Sequence, residues 1–255
     1  MQTKVKLGKV ELTRIGLGTN RLTHSAENVD FVKSAVAAGV QMIDTAHLYT
    51  GGQSEETIAE ALSPFPDNCI VASKGGFQPG HGRPEVLRSE IEESLRRLRT
   101  ERIELYYLHR VDPETPLEES LGVIRDYRER GKIGHVGISE VDIPQIERAR
   151  TVVPIAAVQN RYNLAERKHD AVVDYCTQEG IVFVPFFPLR SEVWPALREI
   201  AGRHRATPQQ VMLSWLLQRS PVILPIPGTL SLEHLKQNLA ALELELSSAE
   251  IETLG

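Results

Sequence analysis

The sequence predicts one domain of the α/β class, a (β/α)8 barrel (TIM barrel) spanning residues 1–255. Short apolar or β-branched runs alternate along the chain with segments whose apolar residues recur at helical spacing. Such alternation indicates parallel strands joined by crossover helices. The strand-like runs number about eight, which favours a closed barrel over an open doubly wound sheet.

The elements follow one another in a regular order. The predicted strands are residues 15–18, 41–46, 69–74, 103–109, 135–139, 156–160, 181–187 and 222–226. Helical spacing covers residues 28–38, 54–62, 83–102, 116–130, 166–178, 207–218 and 231–241. The opening residues 3–12, with Gly8 and Lys9 at the centre, predict a short N-terminal β-hairpin that closes the barrel floor.

Helix ends carry their usual signals. Ser54, Thr207 and Ser231 are the predicted N-caps, and Pro208 stands in the first helical turn after Thr207. Glycine follows three of the helices, where a left-handed residue ends the helix: Gly39, Gly131 and Gly180.

Composition excludes several classes of function. The net charge is −5 and both signs are mixed along the chain, so there is no basic face for nucleic acid. The two cysteines, Cys69 and Cys176, lie in apolar or helical patterns and predict no disulfide, and the eight histidines lack metal-ligand spacing. No signal peptide or membrane-length apolar run is found. We expect a cytoplasmic monomer without a metal, a membrane or a nucleic-acid partner.

Four polar residues lie at or just beyond predicted strand ends. Asp44, Lys74 and His109 end successive strands, and Tyr49 follows Asp44 closely. Active sites of (β/α)8 barrels lie at the carboxyl ends of the strands, so the four should face one bowl. A lysine charge held by a carboxylate lowers the pKa of a nearby tyrosine, which then protonates a carbonyl oxygen. His109 would hydrogen-bond and orient the same oxygen.

Taken one at a time, these residues also have ordinary structural interpretations. Asp44 would cap a turn, Lys74 would end a strand in solvent, and Tyr49 would be an aromatic residue of the rim. Their occurrence together on successive strands favours the catalytic interpretation.

Several motifs give the chain a family resemblance: IGLGT, IDTAHLY, ASKGG, LYYLHR, GISE, VQNRYN, PFFPL and IPGT. In this order they resemble the aldo-keto reductases, and particularly bacterial members that include pyridoxal-reductase-like enzymes. The resemblance implies a (β/α)8 fold, catalytic residues at Asp44, Tyr49, Lys74 and His109, and NADPH as the cofactor. It also implies that the cofactor binds without a Rossmann loop, and the chain has no G-x-G-x-x-G motif.

The resemblance also implies the cofactor contacts. Ser139 and Gln159 would bind the nicotinamide carboxamide, Phe186 would stack on its ring, and the following residues would line the pyrophosphate. The complete predicted set is Gly18, Thr19, Asn20, Asp44, Ser139, Glu140, Gln159, Phe186, Phe187, Pro188, Leu189, Arg190, Ile226, Pro227, Gly228, Thr229, Ser231, His234, Gln237 and Asn238.

Three positions depart from the family pattern. Glu140 replaces an asparagine that is frequent beside the carboxamide, and a carboxylate cannot donate a hydrogen bond there. Gly228 and His234 replace the lysine and arginine that commonly hold the adenosine 2′-phosphate. We expect NADPH to be preferred, with NADH possible.

Short loops predict an open, shallow substrate pocket. Its predicted wall is Leu22, Leu48, Tyr49, Phe77, His109, Arg110 and Trp194. Such a pocket suits aromatic or bulky aldehydes as the small-molecule carbonyl substrate, with pyridoxal as one candidate. The main alternative is a non-catalytic regulatory subunit of the same fold that senses nicotinamide nucleotides. A phosphate-specific isomerase or hydrolase is less favoured, because paired carboxylates and a G-x-S-x-G motif are absent.

Overall fold

A computed structural model describes all 255 residues. The predicted hairpin is confirmed as an antiparallel pair, β1 (Lys4–Leu7) and β2 (Val10–Thr13). The remaining seven strands form one parallel sheet in sequence order: β3 (Leu17–Gly18), β4 (Met42–Asp44), β5 (Ile70–Gly75), β6 (Ile103–Leu108), β7 (Ile133–Ser139), β8 (Ile155–Gln159) and β9 (Val182–Phe183). None of the helices is long and apolar enough to span a membrane.

Helices follow the strands as the alternation predicted. They are α1 (Ala26–Ala37), α2 (Gln53–Leu62), α3 (Pro84–Arg97), α4 (Leu117–Glu129), α5 (Ile143–Val152), α6 (Asp170–Glu179), α7 (Pro195–Arg203), α8 (Pro208–Arg219), α9 (Leu232–Ala240) and α10 (Ser248–Leu254). α5, α7 and α10 lie outside the segments that the periodicity predicted. A 3₁₀ helix, Tyr49–Gly52, precedes α2.

The predicted eighth strand closes the barrel without forming a regular ladder. On one side, Gly16 N–H donates to Pro225 O at 2.9 Å; on the other, Leu224 N–H donates to Phe183 O at 2.9 Å. Pro225 and Pro227 carry no N–H, so a continuous ladder cannot form along this segment. Single bridges replace it, and the sheet curls into the expected (β/α)8 barrel.

The barrel interior follows the two-residue period of its strands. On β5, Ile70 and Ala72 belong to the interior apolar cluster and Lys74 follows on the same face. The hairpin residues Leu7 and Leu12 join this cluster from below. Outward-facing residues pack instead against the helices in a second, larger cluster. We call the hairpin end the floor and the opposite, strand-end side the bowl.

The helix-end predictions are confirmed with one exception. Thr207 forms a capping box with Gln210, and Ser231 Oγ accepts from His234 N–H at 3.3 Å. The glycines after α1, α4 and α6 all have positive φ. The N-cap at Ser54 is wrong, because α2 begins one residue earlier, after a glycine with φ 95°.

Ser54 has a different structural role. It is fully buried inside the first turn of α2 and shares hydrogen bonds with Thr45 Oγ1 at 2.7 Å and Thr19 Oγ1 at 2.9 Å. These two threonines directly follow β3 and β4. The hydroxyl of Ser54 therefore fixes the ends of two strands against each other beneath the bowl.

Candidate active site

A buried lysine connects three of the four candidate catalytic residues. Lys74 Nζ donates to Asp44 Oδ1 at 2.6 Å, to Thr45 O at 2.7 Å and to the Tyr49 hydroxyl oxygen at 3.4 Å. Gln159 Nε2 donates to the other carboxylate oxygen of Asp44 at 2.8 Å. Residues from β4, β5 and β8 thus hold one ionic network at the base of the bowl.

The surroundings keep Lys74 charged. Burial by itself would lower the pKa of its ammonium, but the charge of Asp44 and then Tyr49 raise the pKa above its ordinary value. The ammonium also lies 4.9 Å from the centroid of the Tyr49 ring. A fixed positive charge beside a phenol favours phenolate, which is the form left behind after the phenol gives up a proton.

A tight turn positions Tyr49. The 3₁₀ helix that it begins contains Thr50 in a left-handed conformation, with φ 50°. The Thr50 hydroxyl donates to Leu22 O at 2.8 Å, and Tyr49 N–H donates to Ala46 O at 3.0 Å. These bonds offset the cost of the strained backbone and fix the direction in which the phenol points.

His109 is a neutral imidazole at the edge of the same network. Burial, together with the charges of Lys74 and Arg110, lowers its pKa to about 2. Its ring lies 6.0 Å from the Tyr49 ring and 4.8 Å from the Phe77 ring, centroid to centroid. Nδ1 is buried without a hydrogen-bond partner. A neutral ring that faces the bowl can donate one hydrogen bond to a ligand oxygen.

The loop that carries Phe77 is tied to the loop after β6. Asp112 accepts hydrogen bonds from the backbone N–H groups of Gly80 at 3.0 Å, Gly82 at 2.8 Å and Glu114 at 2.9 Å. Burial would raise the pKa of this carboxyl, but these bonds lower it to about 2. Asp112 therefore fixes the position of Phe77 over the His109 ring.

The bowl is one cavity of about 700 Å³ over this network. Lys74 lies beneath it, fully buried. The lining residues are Gly18, Thr19, Asn20, Arg21, Asp44, Leu48, Tyr49, Phe77, His109, Arg110, Ser139, Gln159, Phe186, Phe187, Pro188, Leu189, Arg190, Ile226, Pro227 and Gly228. All of these except Arg21 belong to the sets that the sequence predicted.

Two residues predicted for the substrate wall lie elsewhere. Leu22 is fully buried in the core between the strands and the helices. Trp194 is the N-cap residue of α7, and its half-buried side chain packs against the same core. Both predictions followed from closeness in sequence to the bowl, but apolar packing turns these side chains towards the helices.

Glu140 does not line the bowl either. Its backbone is left-handed, with φ 55°. Its carboxylate accepts from Arg161 N–H at 2.6 Å and lies 3.8 Å from Lys168 Nζ. These contacts occupy the carboxylate outside the bowl, so the predicted interaction with a carboxamide is not supported by its position.

The predicted adenosine residues lie outside the bowl lining and extend from just before α9 to its last turn. Ser231 uses its hydroxyl as the helix cap, and its N–H donates to Thr229 Oγ1 at 3.0 Å. These residues follow Gly228, the last residue of the bowl on this side: Thr229, Ser231, His234, Gln237 and Asn238. The structure places them beside the bowl and not in its lining.

Arg21 is the lining residue that the sequence analysis missed. It is exposed and makes no ion pair. Its position three residues after the end of β3 was the available signal, because loops that follow barrel strands surround the active site.

Comparison with known proteins identifies the family. A sequence model of the Aldo/keto reductase family matches residues 14–193 and 190–255. The chain belongs to this family. Pyridoxine 4-dehydrogenase of Escherichia coli strain K12 is 35% identical over 97% of this chain and 96% of its own. As a member of the aldo/keto reductase family, the chain is an oxidoreductase.

Solved structures agree with the fold. A thermostable aldo-keto reductase crystallised with the inhibitor epalrestat has a TM-score of 0.91 and 33% identity, over 99% of this chain and 98% of its own. An aldo/keto reductase from Klebsiella pneumoniae, crystallised with NADP and acetate, has a TM-score of 0.89 and 28% identity, over 100% and 94%. These similarities confirm the predicted (β/α)8 barrel.

Proposed function

We propose that this aldo/keto reductase reduces aldehydes with NADPH and that Tyr49 is the proton donor. One observation carries the proposal: a fully buried lysine, ion-paired with Asp44, lies 3.4 Å from the Tyr49 hydroxyl at the base of the bowl. Such a charged group has little structural purpose in a barrel interior, since its burial is costly.

The residues divide the work as follows. NADPH, when bound, supplies the hydride that reduces the carbonyl carbon. Tyr49 donates its hydroxyl proton to the carbonyl oxygen, and Lys74 stabilises the phenolate that remains. Asp44 keeps the lysine charged and in place. His109, as a neutral donor, holds the carbonyl oxygen next to Tyr49.

The bowl suits a nicotinamide nucleotide in shape and in donor groups. Phe186 offers an aromatic face, and Gln159 has its Oε1 left over as an acceptor after Nε2 binds Asp44. Gly18 and Gly228 bridge the rim, where a Cβ on Gly18 would come within 2.8 Å of Ile226 O. We propose Ser139, Gln159 and Phe186 for the nicotinamide, and residues 187–190 for the pyrophosphate.

The preference for NADPH over NADH can be tested by restoring the missing charges. A Cβ on Gly228 would meet its nearest atom, Gly18 O, at an ordinary 3.4 Å, so a lysine fits there. We expect Gly228→Lys with His234→Arg to raise the NADPH-to-NADH ratio of kcat/KM by about tenfold or more, because cations pair with the 2′-phosphate. An unchanged ratio would mean that the 2′-phosphate lies elsewhere.

Aromatic aldehydes are the proposed substrates, with pyridoxal among them. Leu48, Phe77 and Phe187 line the bowl with about 40% of each side chain exposed, which gives a flat ring an apolar surface to pack on. The similarity to a pyridoxine 4-dehydrogenase supports pyridoxal in particular.

The experiment is NADPH and NADH oxidation, followed by absorbance, with pyridoxal and 4-nitrobenzaldehyde. Tyr49→Phe should lose about 100- to 10,000-fold in kcat, the usual contribution of a general acid. Tyr175→Phe, whose hydroxyl contacts Arg150 far from the bowl, is the matched control. Unchanged activity in Tyr49→Phe would rule out the proton donor. Tight NADPH binding without any turnover would favour the nucleotide-sensing subunit.

We also propose that the protein acts as a monomer in the cytoplasm. Three of the four large apolar side chains that are well exposed lie in the bowl, and the fourth, Leu230, lies next to its rim. A separate apolar face for a second copy is therefore missing. Light scattering after gel filtration will show whether a dimer forms.

A further inference from the structure

We propose that Arg110 recognises a carboxylate carried by the aldehyde substrate. The proposal deepens the reductase function above and rests on it. It assigns the substrate class of the bowl: aldehydes whose ring bears an acidic group on the side away from the carbonyl.

Arg110 is held rigidly beside the reacting centre. It follows His109 directly, and its Nη1 donates to His109 O at 2.7 Å and to Ser139 Oγ at 3.2 Å. Its guanidinium carbon lies 5.3 Å from the Phe77 ring centroid and 6.0 Å from that of Phe186. The side chain lines the bowl between two aromatic residues that also line it. A cation in this position is already oriented before a ligand arrives.

The guanidinium has no anionic partner within the protein. No carboxylate lies within 4.0 Å of it, and its Nε and Nη2 donate to no protein acceptor. The carboxylate of Glu140 accepts a hydrogen bond from the backbone N–H of Arg161 and lies near Lys168 Nζ, outside the bowl. Burial lowers the pKa of Arg110, and the charges of Glu140 and Tyr49, neither of which is within ion-pair distance, offset this desolvation only in part. An arriving carboxylate would offset it.

Among the charged residues of the bowl, Arg110 is the one that is free to bind a substrate carboxylate. Asp44 is the one acidic residue in the lining, and Lys74 neutralises it. Arg21 and Arg190 are also without an ion-pair partner, but both are exposed, and Arg190 belongs to the segment proposed for the pyrophosphate. Arg110 is the cation that adjoins His109 and Phe77. The bowl therefore presents a positive charge to a substrate although the chain as a whole carries −5.

The chemistry of the guanidinium favours a carboxylate. Its planar donors match the two carboxylate oxygens in a bidentate pair, and partial desolvation strengthens such a pair. With the carbonyl oxygen at Tyr49 and His109, the body of the ring packs on Phe77. The acidic group then extends towards Arg110.

The test compares two aldehydes of the same shape, 4-carboxybenzaldehyde and the neutral 4-formylbenzamide. We expect the ratio of their kcat/KM values to favour the acid in the unaltered enzyme. Arg110→Met should lower this ratio by about 10- to 100-fold, the range for a hydrogen bond between charged groups. Arg110→Lys should lower it less, since the charge remains. Arg148→Met, at an exposed arginine that pairs with Glu118 outside the bowl, is the control and should leave the ratio unchanged.

A binding measurement separates this proposal from the reductase function. The product-like acid 4-(hydroxymethyl)benzoate is titrated calorimetrically into the enzyme saturated with NADPH. We expect its Kd to rise at least tenfold in Arg110→Met. Equal affinities in the two proteins, or an unchanged kcat/KM ratio, would overturn the role of Arg110. A raised KM for NADPH with equal losses on both aldehydes would assign Arg110 to the cofactor instead. No turnover of either aldehyde by the unaltered enzyme would reject the reductase function, and the titration would still decide on Arg110.

Discussion

The floor and the bowl are built from the same strands but from opposite kinds of residue. Along the inward face of β5, Ile70 and Ala72 contribute to the apolar floor, and Lys74, the next inward residue, belongs to the bowl. The same change occurs on β4 between Met42 and Asp44. On each of these strands, an apolar side chain of the floor and a charged side chain of the bowl are only two residues apart.

The apolar floor therefore contributes mainly to stability, and the charged bowl carries the residues proposed for catalysis. The floor is closed by the hairpin and consists of side chains at most 5% exposed. The bowl holds a buried ion pair and the unpartnered Nδ1 of His109, both of which cost free energy in the folded state. Substitutions in the bowl should therefore abolish activity, and substitutions in the floor should reduce stability alone.

Lys74→Met should have the largest effect. The phenolate of Tyr49 loses its stabilising charge, so kcat should fall by about 100- to 10,000-fold. Asp44 is left buried without its cation, which should lower the free energy of unfolding by about 3–5 kcal/mol. Urea denaturation and NADPH oxidation measure the two effects. Full activity in this variant would remove the lysine from the mechanism.

Leu12→Ala should show the opposite pattern. Leu12 is fully buried in the floor, so its truncation should lower the free energy of unfolding by about 2–5 kcal/mol. We expect kcat/KM to remain at the level of the unaltered enzyme at temperatures where the variant is folded. A parallel loss of kcat/KM would show that the two ends are coupled.

Gly137→Ala should affect both ends, because it lies between them. A Cβ at this position would lie 2.3 Å from the Tyr107 ring, and Lys74 Nζ is 5.9 Å from the centroid of the same ring. We expect overpacking to lower the free energy of unfolding by about 1–3 kcal/mol and to cause a measurable fall in kcat. Gly122→Ala is the matched control: its Cβ would meet nothing within 4 Å in α4, so stability should rise slightly.

The stability contribution of His109 should depend on pH. Its pKa is about 2 in the folded protein and 6.5 in an unfolded chain, so only the unfolded chain gains a proton between these values. Stability is therefore complete above pH 6.5 and declines below it, by up to about 1.4 kcal/mol per pH unit. Urea denaturation between pH 6.5 and 4.5 should give a steeper decline for the unaltered protein than for His109→Gln. Equal slopes would contradict a buried, neutral imidazole.

The sequence allowed most of the barrel to be predicted, since alternation and strand-end polarity are local signals. Ser139 and Gln159 were predicted from the family resemblance alone, and in the structure they are the last residues of β7 and β8 and line the bowl. The irregular eighth strand was placed correctly although Pro225 and Pro227 interrupt its ladder.

The residues that could not be predicted depend on packing between distant segments. Leu22 follows a strand as Arg21 does, and only tertiary packing decides that Leu22 is buried in the core and that Arg21 lines the bowl. Ser54 has the sequence of a cap, but its position inside α2 follows from hydrogen bonds to two strand ends. The carboxylate of Glu140 is drawn away by Arg161 and Lys168, which the chain brings close only after folding.

The buried charges of the bowl, Asp44 and Lys74, serve chemistry and not folding. The direct test is kcat/KM of the double variant Asp44→Asn with Lys74→Met, in which the buried pair is neutral. Because no uncompensated charge remains, this variant should regain most of the stability that Lys74→Met loses. We predict that its kcat/KM nevertheless stays at least about 100-fold below that of the unaltered enzyme. A double variant that is both stable and fully active would contradict the account.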